Sequence, residues 1–245
     1  MLEMPPSSLV ANPLPLPADV VGRLHTKTKP WTTILWDLDG TITDSAPGIV
    51  KRIGDALVQV GLPRPSQEEL YAMVGPPLLD TFIHTVGMSE ELANKALQIQ
   101  RDIALREGPD AGSSVYPGVP EMLRELHSAG IPVGLATSKG EVQAIEILEH
   151  FGLTPYFTAI TGSSPDETRS AKADVVAETL RRLSAAGADI SNPVMVGDRI
   201  FDVNGAAEHD IPTIIVEWGY GSAEENADAI AHVSSIDQLR PLLLP

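Results

Sequence analysis

ILWDLDGTITDS, Ile34 to Ser45, runs a buried strand pattern straight into two carboxylates, Asp37 and Asp39. Charges at the end of a core strand cost desolvation energy unless something pairs with them. A metal ion, a phosphate or a lysine from elsewhere in the chain can each do so. In extended backbone, positions i and i+2 share a face, so both aspartates can point at one target. Gly40 lets the chain turn away and brings Thr41 back to the same place.

The stretch is the first of a series. TTILW (32–36), PVGLAT (132–137), FTAIT (157–161), PVMVG (193–197) and PTIIVE (212–217) each read as buried strands bounded by Gly, Pro or polar residues. Amphipathic helical patterns lie between them, several stopping at a glycine, notably Gly130, Gly152 and Gly187. Strand–helix alternation of this kind implies an α/β fold, a parallel sheet with helices on both faces, with ligands at the carboxyl ends of the strands. One segment breaks the rhythm. Between the first strand and PVGLAT lie about ninety residues with four or so helical patterns and no strand pattern. A crossover needs one helix, so the surplus reads as an inserted all-helical cap over 46–115, with Asp44 or Ser45, Ser66 and Ser89 as N-caps. The expected division is a Pro-rich leader over 1–30, a core over 31–45 and 116–245, and the cap.

The chain has 245 residues, 43% hydrophobic, enough for a sizeable core. It contains no cysteine, which excludes disulfides and thiolate chemistry. A net charge of −16 without a basic stripe argues against nucleic-acid partners. No apolar run approaches the roughly 20 residues that span a bilayer, so no membrane partner is expected, and the expected location is cytoplasmic.

The other strand ends are polar too. The second ends in Thr137-Ser138-Lys139, and the fourth in Gly197-Asp198-Arg199-Ile200-Phe201-Asp202, while Lys172 opens the helix after the third. Several carboxylates in one pocket stay ionised only with cations among them. Oxygen ligands without His or Cys suit Mg²⁺, which commonly sits between carboxylates and a substrate phosphate. A carboxylate beside Mg²⁺, a hydroxyl and a lysine is an arrangement for phosphoryl transfer through an aspartyl-phosphate, with one acid attacking and the other handling protons.

Asp37-x-Asp39-Gly40-Thr41, Thr137-Ser138, Lys172 and Gly197-Asp198-x-x-x-Asp202 resemble the four ordered motifs of the haloacid dehalogenase (HAD) superfamily, and the helical insertion resembles the C1 cap of its phosphoglycolate phosphatase-like members. The resemblance spans Thr32 to about Leu243 and implies a Rossmann-like core, a Mg²⁺ cofactor and hydrolysis of a small phosphorylated substrate. It further implies Asp37 as nucleophile and metal ligand, and Asp39 as acid and base with its carbonyl on the metal. Asp198 would be a metal ligand, and Asp202 would support the metal shell or Lys172. Thr41, Thr137, Ser138, Lys172 and Gly75 would meet substrate, Gly75 through the cap turn Val74-Gly75-Pro76-Pro77.

Phosphoglycolate would require a cap cation, for which Lys51, Arg52 and Arg64 are candidates. Arg169-Ser170-Ala171-Lys172 departs from the Lys-Pro-x-Pro of many phosphoglycolate phosphatases and is similar to a nucleotidase-type subgroup, making a 5′-nucleotide a competing substrate. The Val74–Pro77, Val196–Arg199, Asp202-Val203 and Trp218-Gly219-Tyr220-Gly221 stretches, with the Pro-rich leader, also resemble an actinobacterial protein-tyrosine kinase of the same fold. That alternative implies a protein substrate and ATP, although no GxxxxGK[ST] loop is present. A non-catalytic phosphate-binding module is the third reading, disfavoured because every expected catalytic position is filled.

Overall fold

The computed structural model describes residues 30–108, 111–166, 168–222 and 228–244. Apart from Pro30, the leader expected over 1–30 lies outside them. Six parallel strands form the main sheet: β1 Thr33–Trp36, β4 Val133–Gly140, β5 Ala159–Ser163, β6 Pro193–Gly197, β7 Thr213–Val216 and β8 Ala231–Val233, in the order β5-β4-β1-β6-β7-β8. The chain leaves β1 for β4 on one side and later for β6 on the other, so the order reverses at β1. That switch point opens a crevice beyond the strand ends, where open α/β sheets place their ligands.

The apolar run of β1 is buried on both faces. Ile34 and Trp36 join a cluster with Met122, Leu126, Leu148 and Leu239, whereas Leu35 packs with Val175, Val176, Leu183 and Ala206. The first cluster draws on the helices Val119–Ser128, Glu141–His150 and Ile236–Leu243 and the second on Lys172–Ala185 and Ile200–Ala207, so helices cover both faces. Gly130, Gly152 and Gly187 all have positive φ just past helix ends, where a Cβ would be strained.

The structure departs from the sequence reading at three places. The short strand β8 and the closing helix Ile236–Leu243 lie outside the elements read from the sequence. Strand β5 continues to Ser163 and β4 to Gly140, with a register shift between Ala136 and Gly140. Two-residue strands, β2 Thr43–Asp44 and β3 Ser114–Val115, pair antiparallel where the chain leaves and re-enters the core.

Between β2 and β3 the described residues form helices α1 Ala46–Gln59, α2 Gln67–Ala72, α3 Leu78–Asp80, which runs into a π turn Thr81–Thr85, and α4 Glu90–Glu107. They bury an apolar cluster of their own, including Ile53, Leu57, Leu70, Phe82, Ala93 and Leu97. Ser66 closes a capping box with Glu69, and Ser89 caps α4. Ser45 occupies the N-cap of α1 without capping it. Among the described residues no helix is long and apolar enough to cross a membrane.

Candidate active site

Asp37 follows β1 directly, its N–H bonded to Val196 O of the neighbouring strand at 2.9 Å. Lys172, at the start of the helix after β5, reaches it through the sheet end. Its Nζ lies 2.8 Å from Asp37 Oδ1 and 2.7 Å from Asp202 Oδ1, and donates to Ala136 O at 3.0 Å. Gly205 permits this approach, since a Cβ there would sit 2.5 Å from Lys172 Cγ.

Asp202 is fixed from its other oxygen, which accepts the N–H groups of Asp198 (3.1 Å) and Arg199 (3.0 Å). Asp198 accepts the Thr41 hydroxyl at 3.3 Å and the Tyr220 N–H at 2.6 Å. Carboxylate oxygens of Asp37, Asp198 and Asp202 thus gather within 4.8 Å of one another, all three buried.

So many buried acids disturb one another. Burial pushes the Asp37 carboxyl up to about 6, against the pull of Lys172. Burial, reinforced by the charges of Asp202 and Asp37, raises Asp198 well above the carboxylate range. Lys172 moves the other way. Burial opposes its charge, but Asp202 and Asp37 outweigh that and hold it above the usual lysine range. Lys172 bonds two of the three acids, Asp37 and Asp202, and the three together could hold a further cation. Buried oxygen donors without nitrogen or sulfur fit a hard divalent ion such as Mg²⁺.

Asp39 faces elsewhere. Its Oδ1 accepts the Ser45 hydroxyl, and its Oδ2 lies 2.7 Å from Lys139 Nζ. Each aspartate of the opening motif therefore has its own lysine, and the sequence reading recognised only Lys172. Adjacency to Thr137-Ser138 was the available signal. The register shift in β4 is what re-aims this stretch, as bulges beside sites commonly do.

A cavity of about 100 Å³ lies above Asp37 and Asp39, floored by Thr137 and Ser138 and roofed by Gly75 and Arg101 of the helical insert. Ser138 Oγ is buried there without a hydrogen-bond partner, a donor suited to a phosphate oxygen. Thr137 Oγ1 accepts the Lys139 N–H at 3.2 Å. Gln100, Lys139 and Gln143 also border a larger cleft of about 450 Å³ between α4 and the helix Glu141–His150.

The anticipated cap cations sit differently. Lys51 pairs with Asp55 and Glu107, and Arg64 with Asp55, on the insert's outer side. Arg52 donates to Ala111 O and borders the larger cleft, and it is Arg101 that reaches the small cavity. Gly75 approaches the core through Arg199, whose guanidinium donates to Val74 O.

This geometry, two strand-end acids and a third from the following helix with a lysine at the switch point beneath the helical insert, defines a class, and the chain belongs to it: residues 34–216 match the family of haloacid dehalogenase-like hydrolases. The tyrosine-protein kinase PtkA of Mycobacterium tuberculosis is 38% identical over 214 residues, 86% of this chain and 72% of that protein. A 5′-nucleotidase of Pseudomonas aeruginosa is 36% identical over 195 residues, 80% of this chain and 86% of its own. The crystal structure of a predicted phosphatase from Clostridium acetobutylicum superposes with a TM-score of 0.80 at 37% identity, covering 86% of this chain and 97% of that one.

Proposed function

We propose that the protein is a Mg²⁺-dependent phosphatase that hydrolyses a small phosphomonoester through an aspartyl-phosphate on Asp37. The observation that carries this reading is the pairing of each motif aspartate with its own lysine beside a cavity lined by both aspartates, Thr137 and Ser138. Asp37, Asp198 and the Asp39 carbonyl would hold the ion, which when bound screens the phosphate charge and lowers the barrier to anionic attack.

The chain's own groups supply the rest. Asp37 attacks phosphorus, and the ester P–O bond breaks as Asp39 gives its proton to the departing oxygen. Asp39 then takes a proton from the water that attacks the aspartyl-phosphate, and cleavage of the P–O bond to Asp37 frees inorganic phosphate. Ser138 and the Thr137 region receive phosphate oxygens. Lys172 holds Asp37 against rotation and balances the charge, with Asp202 behind it. The helical insert acts as a cap that excludes water during the reaction.

For the substrate, the larger cleft that shares Gln100, Lys139 and Gln143 with the small cavity favours a leaving group bigger than glycolate, and a 5′-nucleotide meets that requirement. The identity to PtkA favours a second reading, transfer of phosphate from ATP to a protein tyrosine. Phosphate release from a panel of esters with Mg²⁺, run beside Asp37→Asn and an incubation with labelled ATP, separates the two. Release that vanishes in the variant, with no labelled tyrosine, is the expected result. Asp37-dependent phosphotyrosine without ester hydrolysis would establish the kinase instead.

A further inference from the structure

The loop after β7, Trp218-Gly219-Tyr220-Gly221, reaches both sides of the hinge where the helical insert leaves the core. The Tyr220 hydroxyl accepts the N–H groups of Ser45 (2.8 Å) and Ala46 (2.9 Å) and donates to Asp44 Oδ1 at 3.2 Å. These amides open α1, the first element of the insert. A helix N-terminus leaves amides unsatisfied, and the N-cap side chain normally accepts one of them. Ser45 holds that position but gives its hydroxyl to Asp39. Pro47 has no N–H and the Gly48 N–H donates to Gly112 O, so the amides left over are those of Ser45 and Ala46, and Tyr220 takes both from a distant part of the chain. Its hydroxyl also hydrogen-bonds the Tyr116 side chain.

The same residue is anchored at the acid cluster. Its N–H donates to Asp198 Oδ2 at 2.6 Å. Gly219 makes the approach possible, because a Cβ there would lie 2.4 Å from Asp198 Cβ and from Gly40 O. Trp218 Nε1 donates to Thr41 O at 3.1 Å, and its ring meets Tyr116 at 6.3 Å, just past β3, the second crossing between insert and core. The Tyr220 ring packs against the insert's apolar cluster.

We propose that Tyr220 is a positioning residue that sets the helical insert relative to the acid cluster, with its amide on Asp198 and its hydroxyl on the hinge at 44–46. The placement stands on hydrogen-bond geometry alone. Its kinetic consequence rests on the phosphatase reading, because the insert then closes over the ester. Tyr220→Phe keeps the ring and removes the hydroxyl's bonds to Asp44, Ser45, Ala46 and Tyr116.

The test combines amide hydrogen exchange with kinetics. Exchange at Ser45 and Ala46 should accelerate about tenfold or more in Tyr220→Phe, with β1 unchanged, as expected for one lost acceptor. KM for a nucleotide-sized ester should rise about tenfold with kcat within about twofold, while acetyl phosphate, whose small acyl group makes few contacts with the insert, should lose less than about threefold in kcat/KM. Unchanged exchange at the hinge, or equal losses for both substrates, overturns the proposal. If the wild-type chain shows no Asp37-dependent hydrolysis, the phosphatase reading fails and the exchange result alone decides the positioning role. Should the variant not fold, the wild-type chain still answers. Its Ser45 and Ala46 amides must exchange more slowly than those of Glu90 and Glu91, which open α4 in the exposed setting of a serine cap, and equal rates refute the latch.

Discussion

Asp37 shows what the site costs the fold. A carboxyl moved from its ordinary 3.8 up to about 6 by burial is easier to keep neutral in the folded chain than in the unfolded one. Its contribution favours folding below about pH 4 and is lost as pH rises through about 6. Without divalent metal at pH 7, Asp37→Asn should therefore be more stable than the wild type while losing turnover. A calorimetric gain of about 2–4 °C is expected per kcal/mol recovered, and a lower Tm would contradict the account. Lys172 is the counterweight. It bonds Asp37 and Asp202 at once, so its removal would leave two acids buried without a cation.

At the scale of elements, the site depends on how β4 ends. Its last residues leave the regular ladder after Ala136 and pair again at Gly140 with Ser163 of β5. Gly162 sits under this crossing, where a Cβ would lie 2.4 Å from Lys139 O and 2.6 Å from Glu141 Cα. Both neighbours are backbone, which cannot step aside as a side-chain tip can. Gly162→Ala should push the Thr137–Lys139 segment off Asp39, costing about 1–3 kcal/mol of stability. Urea unfolding measures the first effect, and ester turnover falling alongside it checks the second. The antiparallel pair of β2 with β3 does the corresponding work for the insert, closing its two ends on one another beside Asp39.

For the whole molecule, a cation held by the three clustered acids would make binding and folding one equilibrium. Saturating Mg²⁺ should raise Tm at pH 7–8, and Asp198→Asn should abolish the increment. The increment should also fade as pH falls through about 6, where Asp37 takes up a proton. Scanning calorimetry with and without EDTA measures it, and a Tm indifferent to Mg²⁺ at pH 8 would remove the metal from the proposal. The acidic surface repels small anions at long range, so phosphate attraction falls to the local cations Lys139, Lys172 and Arg101.

The local chemistry of the chain determined most of this. Apolar runs ending in Asp37, Thr137 and Asp198 set the parallel strands and place polar groups at their tips, because period and punctuation are local properties of the backbone. The helical insert was legible for the same reason, from 3.6-residue patterns and the serines at 66 and 89. What only the tertiary structure decided are contacts between residues far apart in sequence. Lys139 meets Asp39 across a hundred positions and Tyr220 accepts the first amide of a helix that begins at residue 46, while Lys51 is drawn to Glu107 and away from the cavity. Composition and periodicity carry no term for such pairings, since which charge finds which partner is fixed when the sheet closes and the insert folds back over it.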